Sequence, residues 1–308
     1  MIDFNNKEEL INEIIKLKKE KNAVILAHSY QIGDIQEIAD IVGDSYALSK
    51  YCTGVTQKTI VFCGVHFMAE SAKILSPDKT VLLPEKNAGC PMADMVTAPA
   101  LREMKKKHPD AAVVTYINSS AAVKAESDVI VTSSNAVKVV SNMNEKKIIF
   151  TPDKNLGGFV ASKCPDKEFI MWDGYCPVHN AMKKEYVEEV KKKYPEAIVL
   201  AHPECPSEVT ECADFIGSTK DIMEFVNSSD KNEFIIGTER GVLHPMKRDN
   251  NDKKFYMLSE KLVCEDMKLT TLESLYKCLA TGEYEMILPE DIIEKASRAL
   301  KRMIELAK

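Results

Sequence analysis

No run of apolar residues in this chain approaches the roughly 20 residues needed to cross a membrane, which excludes an integral protein built on spanning helices. No basic tract is present and the net charge is −6, so the electrostatic footprint of a nucleic-acid binder is missing. No C-x-x-C pair occurs, which removes the usual zinc-ribbon and thioredoxin-like patterns. Arginine is scarce, five against thirty-six lysines, so guanidinium forks cannot be the chief grip on an anionic ligand. The opening MIDFNNKEEL is charged and amphipathic and lacks an apolar signal core. No export is therefore expected, and the cytoplasm is the expected location.

What is present is 308 residues, 45% hydrophobic and 29% charged, an ordinary globular balance with room for two or three small domains. Nine cysteines are many for such a chain. An odd number, without export, argues against a disulfide framework. The useful question is which of them occupy related positions.

The chain repeats itself three times. KLKKEKNAVILAHSY from Lys16, EMKKKHPDAAVVTYI from Glu103 and EVKKKYPEAIVLAHP from Glu189 each read as a lysine-rich helix end followed by a β-branched strand. Seventeen residues after His28, Tyr116 and His202 come Ser45, Ser133 and Thr219, each in a small-residue turn between an apolar strand and a helix. Two further apolar runs follow in every unit, and the last ends in Cys90, Cys176 or Cys264. The cysteines are 86 and 88 residues apart, and the steps from His28 to Tyr116 to His202 are 88 and 86. The fold class expected is α/β: three homologous αβα sandwich domains with small parallel sheets, related by pseudo-three-fold symmetry. The expected units are residues 1–95, 96–180 and 181–308, the last with a closing amphipathic helix from Pro289.

Ligands of open α/β sheets sit beyond the carboxyl ends of the strands, so three repeats around an axis aim three thiols at one point. Nearby helix N-termini are expected to favour the metal-binding thiolate. Three sulfurs without a fourth suit an iron–sulfur cluster with one iron left free by protein, able to act as a Lewis acid. Cys52, Cys63, Cys164, Cys212 and Cys278 have no repeat counterparts and read as core or surface thiols, and Cys205 is left outside the ligand set. The turn triplets Gly43-Asp44-Ser45, Thr132-Ser133-Ser134 and Gly217-Ser218-Thr219 supply helix caps, and together an anion-binding lining. The first-strand ends add His28 and Tyr30, Tyr116 and Asn118, and His202 and Glu204, with His179 three residues beyond Cys176. Imidazole and phenol donate to carboxylate or phosphate, and Glu204 can serve as a general base.

The strings AHSYQ, GDS, GVHFMAE, AGCPMADM, YINSSAAVKAESDVIVTSSNAV, TPDKNLG, GYCPVHN, AHPECP, GST, GTERGVLH and MKLTTLESL, in this order, resemble quinolinate synthases, iron–sulfur enzymes of de novo NAD biosynthesis. The resemblance covers nearly the whole chain. It implies a [4Fe-4S] cluster on Cys90, Cys176 and Cys264, and condensation of iminoaspartate with dihydroxyacetone phosphate to quinolinate, phosphate and water. It further implies substrate contacts at His28, Ser45, Tyr116, Asn118, Ser133, His202, Glu204, Ser218 and Thr219, and active-site positions at Tyr30 and His179. An L-aspartate oxidase or dehydrogenase would supply the imine. Ser29 departs from the Asn common in the first motif, and Cys264 lacks the extra cysteines some members carry around it. Two alternatives stay open: another three-cysteine cluster enzyme with radical or reductive chemistry, or a non-catalytic iron–sulfur sensor.

Overall fold

A computed structural model describes residue 4 and residues 6–308; Met1 to Asp3 and Asn5, part of the charged opening stretch, lie outside the described residues. The first sheet contains β1 (Ala23–His28), β2 (Ile41–Gly43), β3 (Thr59–Cys63) and β4 (Thr80–Leu82). The second contains β5 (Ala112–Tyr116), β6 (Val129–Val131), β7 (Lys147–Thr151) and β8 (Glu168–Met171). The third contains β9 (Ile198–Ala201), β10 (Phe215–Ile216), β11 (Glu233–Gly237) and β12 (Lys254–Met257). Every strand pair is parallel, and each sheet runs in the order second, first, third, fourth. Even the register repeats, with Ile25 beside Val61, Val113 beside Ile149 and Val199 beside Ile235.

One aspartate per unit locks that register. Asp40, Asp128 and Asp214, each just before or at the start of the second strand's run, accept the amides of Ile25, Val113 and Val199 at 2.8, 2.7 and 2.8 Å. Each returns its own amide to the same residue's carbonyl. An aspartate here closes the crossover from first to second strand and satisfies backbone that no neighbouring strand reaches. Helices cover both faces of the sheets. Three of them, Lys7–Glu20, Ala98–Lys107 and Lys184–Lys193, precede the first strands and end in lysines that suit the negative pole of the helix dipole.

The C-terminal segments pack back on the first two units. Helix Leu272–Thr281 packs on Lys7–Glu20, with Leu272, Leu275, Cys278 and Leu279 sharing a core with Leu10, Ile14, Val61 and Cys63 of the first unit. Residues beyond it run along the first sheet, where Met286 donates to Val81 at 2.7 Å and Glu285 bridges to Leu82, so that the β4 edge is covered. The closing helix, Glu290–Leu306, buries Ala296, Ala299, Leu300 and Met303 along one stripe. That stripe lies on β6 and helix Ala121–Lys124 of the second unit and on helix His66–Leu75 of the first. Among the described residues no helix is long and apolar enough to cross a membrane.

Candidate active site

The carboxyl ends of β1, β5 and β9 converge on one cavity of about 320 Å³. It is bordered by His28, Tyr30 and Ser45 of the first unit, Tyr116, Asn118, Ser133, Cys176 and His179 of the second, and His202, Glu204, Thr219 and Cys264 of the third, with Cys90 completing the thiols. Parallel pairing gathers the carboxyl ends at one edge of each sheet, and residues following all three of those edges border this cavity. Of the residues expected to contact substrate, Ser218 does not line the cavity, and neither do Gly43, Ser134 and Gly217 of the turn triplets. The Ser218 hydroxyl donates to Asp221 at 2.7 Å and accepts the Asp221 amide, a capping box that leaves Thr219 as the lining residue. Asp44 plays the corresponding cap in the first unit, accepting the Ala47 amide at 2.8 Å.

The three cysteines occupy matching positions. Each is the N-cap of a single-turn helix, Pro91–Asp94, Pro177–Asn180 or Glu265–Lys268, and each is half-buried. The expectation that helix N-termini would favour the thiolate needs correction. Burial dominates, lifting the Cys90 thiol to about 12 and Cys264 to about 11 and raising Cys176 well above its ordinary value; amides at the helix starts pull only partly the other way. These thiols are neutral on their own, and a bound cation must displace their protons. The donor set fits an iron–sulfur group: three sulfurs related by the repeat, facing a space walled by Val65, Phe67, Met92, Val178, Val263 and Met267.

Two wholly buried acidic side chains hold these cysteine loops; both fall in strings quoted for the resemblance, TPDKNLG and GTERGVLH, but neither is among the expected site residues. Asp153 accepts the Cys176 amide at 2.9 Å and the Leu156 amide at 2.7 Å, from a backbone held at φ 67. Glu239 occupies the corresponding place after β11, accepting the Cys264 amide at 3.2 Å and pairing with Lys268 at 2.8 Å. Lys268 in turn donates to the Tyr30 carbonyl, so one ion pair ties the third cysteine loop to the first unit's Tyr30 loop. For the remaining loop, Asp266 accepts the Gly89 amide at 3.1 Å. In the first unit the matching position after β3 is Val65, so no recurring residue type marks the set.

A chain of hydrogen bonds crosses the cavity between units. The Tyr30 hydroxyl meets Thr219 at 2.8 Å and Thr238 at 2.9 Å; Thr238 meets His179 Nε2 at 3.1 Å; His179 Nδ1 lies 2.7 Å from Glu204; and Tyr116 donates to Glu204 at 2.6 Å. Burial opposes charge on Glu204, yet His202, His179 and the Tyr116 hydroxyl outweigh it and hold the carboxyl below its usual range, ionised at neutral pH. Burial and the same carboxylate raise Tyr116 and Tyr30, which stay protonated donors.

His28 and His202 repeat one device. The amide two residues on, Tyr30 or Glu204, donates to each Nδ1, at 3.1 and 3.3 Å. Burial presses both imidazoles down to about 3, so they are neutral, with the proton on Nε2. No lysine or arginine lines the cavity among the described residues, while the Asn118 Oδ1 is buried without a protein partner. The lining presents imidazole, phenol and hydroxyl groups beside the acidic side chains of Asp44, Glu204, Glu239, Glu265 and Asp266.

Comparison with known proteins agrees with this geometry. Residues 12–305 match the family described as Quinolinate synthetase A protein. A protein of Caldicellulosiruptor bescii named quinolinate synthase is 58% identical over 301 residues, 98% of this chain and 99% of its own. Proteins of the same name from Clostridium kluyveri and Clostridioides difficile are 55% identical over 297 residues (96% and 98%) and 52% over 300 residues (97% and 99%). With the threefold sheets and the shared cavity already in view, the chain belongs to the quinolinate synthetase A protein family.

Proposed function

We propose that the chain condenses iminoaspartate with dihydroxyacetone phosphate to quinolinate, releasing phosphate and water, with a [4Fe-4S] cluster held by Cys90, Cys176 and Cys264. One observation carries the residue assignment: the three helix-capping cysteines border the same cavity as the polar strand ends of all three units. Three protein sulfurs leave one iron of such a cluster free, and when bound it supplies Lewis acidity toward a substrate hydroxyl or carboxylate.

The chain's own groups do the rest. Neutral His28 and His202 present Nε2–H donors to carboxylate and phosphate oxygens, beside the hydroxyls of Ser45, Ser133 and Thr219 and the amide of Asn118. Ionised Glu204 accepts the proton removed beside the triose carbonyl. Tyr116 steadies the Glu204 carboxylate, and the path through His179 and Thr238 to Tyr30 delivers a proton to the hydroxyl that leaves as water. The apolar wall of Phe67, Met92, Val178 and Met267 keeps bulk water from reversing the dehydrations. All nine cysteines are free, in keeping with a reducing cytoplasm, where an L-aspartate oxidase or dehydrogenase would supply the imine. The units are residues 1–95, 96–180 and 181–308, and the last two helices of the third, Leu272–Thr281 and Glu290–Leu306, pack on the first two units.

The test is anaerobic reconstitution with iron and sulfide, then incubation with oxaloacetate, ammonia and dihydroxyacetone phosphate. Quinolinate should form with the wild type and not with Cys90→Ala. Glu204→Gln should slow it by about 10²- to 10⁴-fold at unchanged iron content. Iron-loaded wild type that makes no quinolinate refutes the proposal in favour of a sensor; full activity in Glu204→Gln removes the role given to that carboxylate.

A further inference from the structure

Cys176, His179 and Glu204 form a compact group of their own at one side of the cavity. His179 Nδ1 lies 3.2 Å from Cys176 Sγ and 2.7 Å from Glu204 Oε2, and the three donor atoms all fall within 4.8 Å of one another. Spacings of this size surround one tetrahedral ion after small shifts, since donors about 2.0 to 2.3 Å from a metal lie some 3.3 to 3.8 Å apart. Cys90 and Cys264 take no part in it.

We propose that in the cluster-free protein Cys176, His179 and Glu204 bind a single divalent cation of the zinc class, leaving its fourth position open to the cavity. The donor types are those zinc prefers, a thiolate, an imidazole and a carboxylate. Their outer partners are in place as well. His179 Nε2 faces Thr238 at 3.1 Å, and Thr238 is itself held by Tyr30, so the ring is oriented with Nδ1 toward Cys176 and Glu204. Tyr116 donates to the other oxygen of Glu204, and Cys176 is fixed through its amide by Asp153. Binding exchanges protons only: the Cys176 thiol gives up its proton to solvent, and the His179 proton moves from Nδ1, where Glu204 accepts it, to Nε2, where Thr238 can accept it, with no change of oxidation state.

The consequence is competition. If Cys176 is a cluster ligand, as the proposed function holds, an ion seated here blocks assembly of the iron–sulfur group, whereas the site itself does not depend on that reading. The His–Glu half also removes Glu204 and His179 from the proton path, so the zinc form is inactive twice over.

The experiment titrates metal-free, full-length protein with cobalt(II) under argon and follows the thiolate-to-cobalt charge-transfer band in the near ultraviolet together with the visible ligand-field bands. One cobalt per chain with a tetrahedral spectrum is expected, displaced by zinc. Cys264→Ser should retain this spectrum, although it removes a proposed cluster ligand. His179→Ala, checked for native circular dichroism, should lose at least about a hundredfold in cobalt affinity. Preloading with zinc should cut iron uptake of the wild type at least tenfold and leave iron uptake of His179→Ala unaffected. Cobalt binding abolished equally by Cys90→Ser and Cys264→Ser overturns the site and leaves the three-cysteine reading standing. An octahedral spectrum without the thiolate band, or wild-type affinity in folded His179→Ala, overturns it too. Zinc preloading without effect on iron uptake overturns the competition.

Discussion

Two buried neutral histidines make this fold sensitive to acid, and the size of the effect follows from their surroundings. His28 and His202 titrate at about 3 when folded, against an unfolded value of about 6.5. Between those values the unfolded chain binds a proton that the folded chain refuses, so stability is present above pH 6.5 and is lost as pH falls toward 3. From pH 7 to pH 5 each histidine then costs about 2 kcal/mol, and the pair about 4 kcal/mol. Stopping at pH 5 keeps Glu204 ionised, because its stabilising contribution is lost only as pH drops below the usual carboxylate range. The assay is the urea midpoint of the metal-free protein at both pH values, for the wild type, His28→Asn and His202→Asn. The asparagine Oδ1 stands where Nδ1 does and can still accept the amide of Tyr30 or Glu204, so the comparison isolates the titrating group. At an m-value of about 3 kcal/mol/M, each substitution should shrink the pH-dependent midpoint shift by about 0.7 M. A variant with the full wild-type pH dependence, or an imidazolium signal for either histidine at pH 6 by nitrogen NMR, refutes the reasoning.

Other perturbations reach different parts of the fold. Asp153→Asn tolerates the positive φ but turns its NH2 toward one of the two amides that Asp153 accepts, and should cost about 1 to 3 kcal/mol, whereas Asp153→Val, losing both acceptors, should cost more and release iron, read by denaturation and iron assay. Leu300→Ala, removing a wholly buried side chain from the closing helix, should cost about 2 to 5 kcal/mol in urea unfolding and expose the first and second units together to proteolysis, leaving the third intact longest. Tyr116→Phe takes one donor from Glu204 and should lower kcat by about tenfold or more while Cys90, Cys176 and Cys264 retain their iron, measured by turnover and iron content.

The repeat was legible because its marks are local. A helix ending in lysines, a small-residue turn after the second strand and a cysteine after the fourth recur at steps near 87 residues. Parallel topology then fixes where the strand ends meet, which is why His28, Tyr116, His202 and the cysteines could be gathered without coordinates. Thr238, Asp153 and Glu239 escaped because Gly64 and Pro152 stand at the positions matching Thr238, and Val65 at the position matching the two carboxylates. A position that differs between repeats carries no periodic signal. Ser218 and Thr219 are neighbours in one turn, and only the capping box with Asp221 separates the structural hydroxyl from the one facing the cavity. The thiol protonation state also lay out of reach, since spacing reveals a helix start but not how deeply the sulfur is buried. The closing helix showed its apolar stripe in full, but a stripe does not name its partner, and the partners are the first two units.

The most direct test is the iron and acid-labile sulfide content, with the Mössbauer spectrum, of anaerobically purified wild type beside Cys90→Ser, Cys176→Ser and Cys264→Ser. The expected result is one cubane cluster per chain with one iron distinguishable from the other three, and its loss in every single variant. A stable, spectroscopically unchanged cluster in any one of the three would contradict convergence of these sulfurs on a common group.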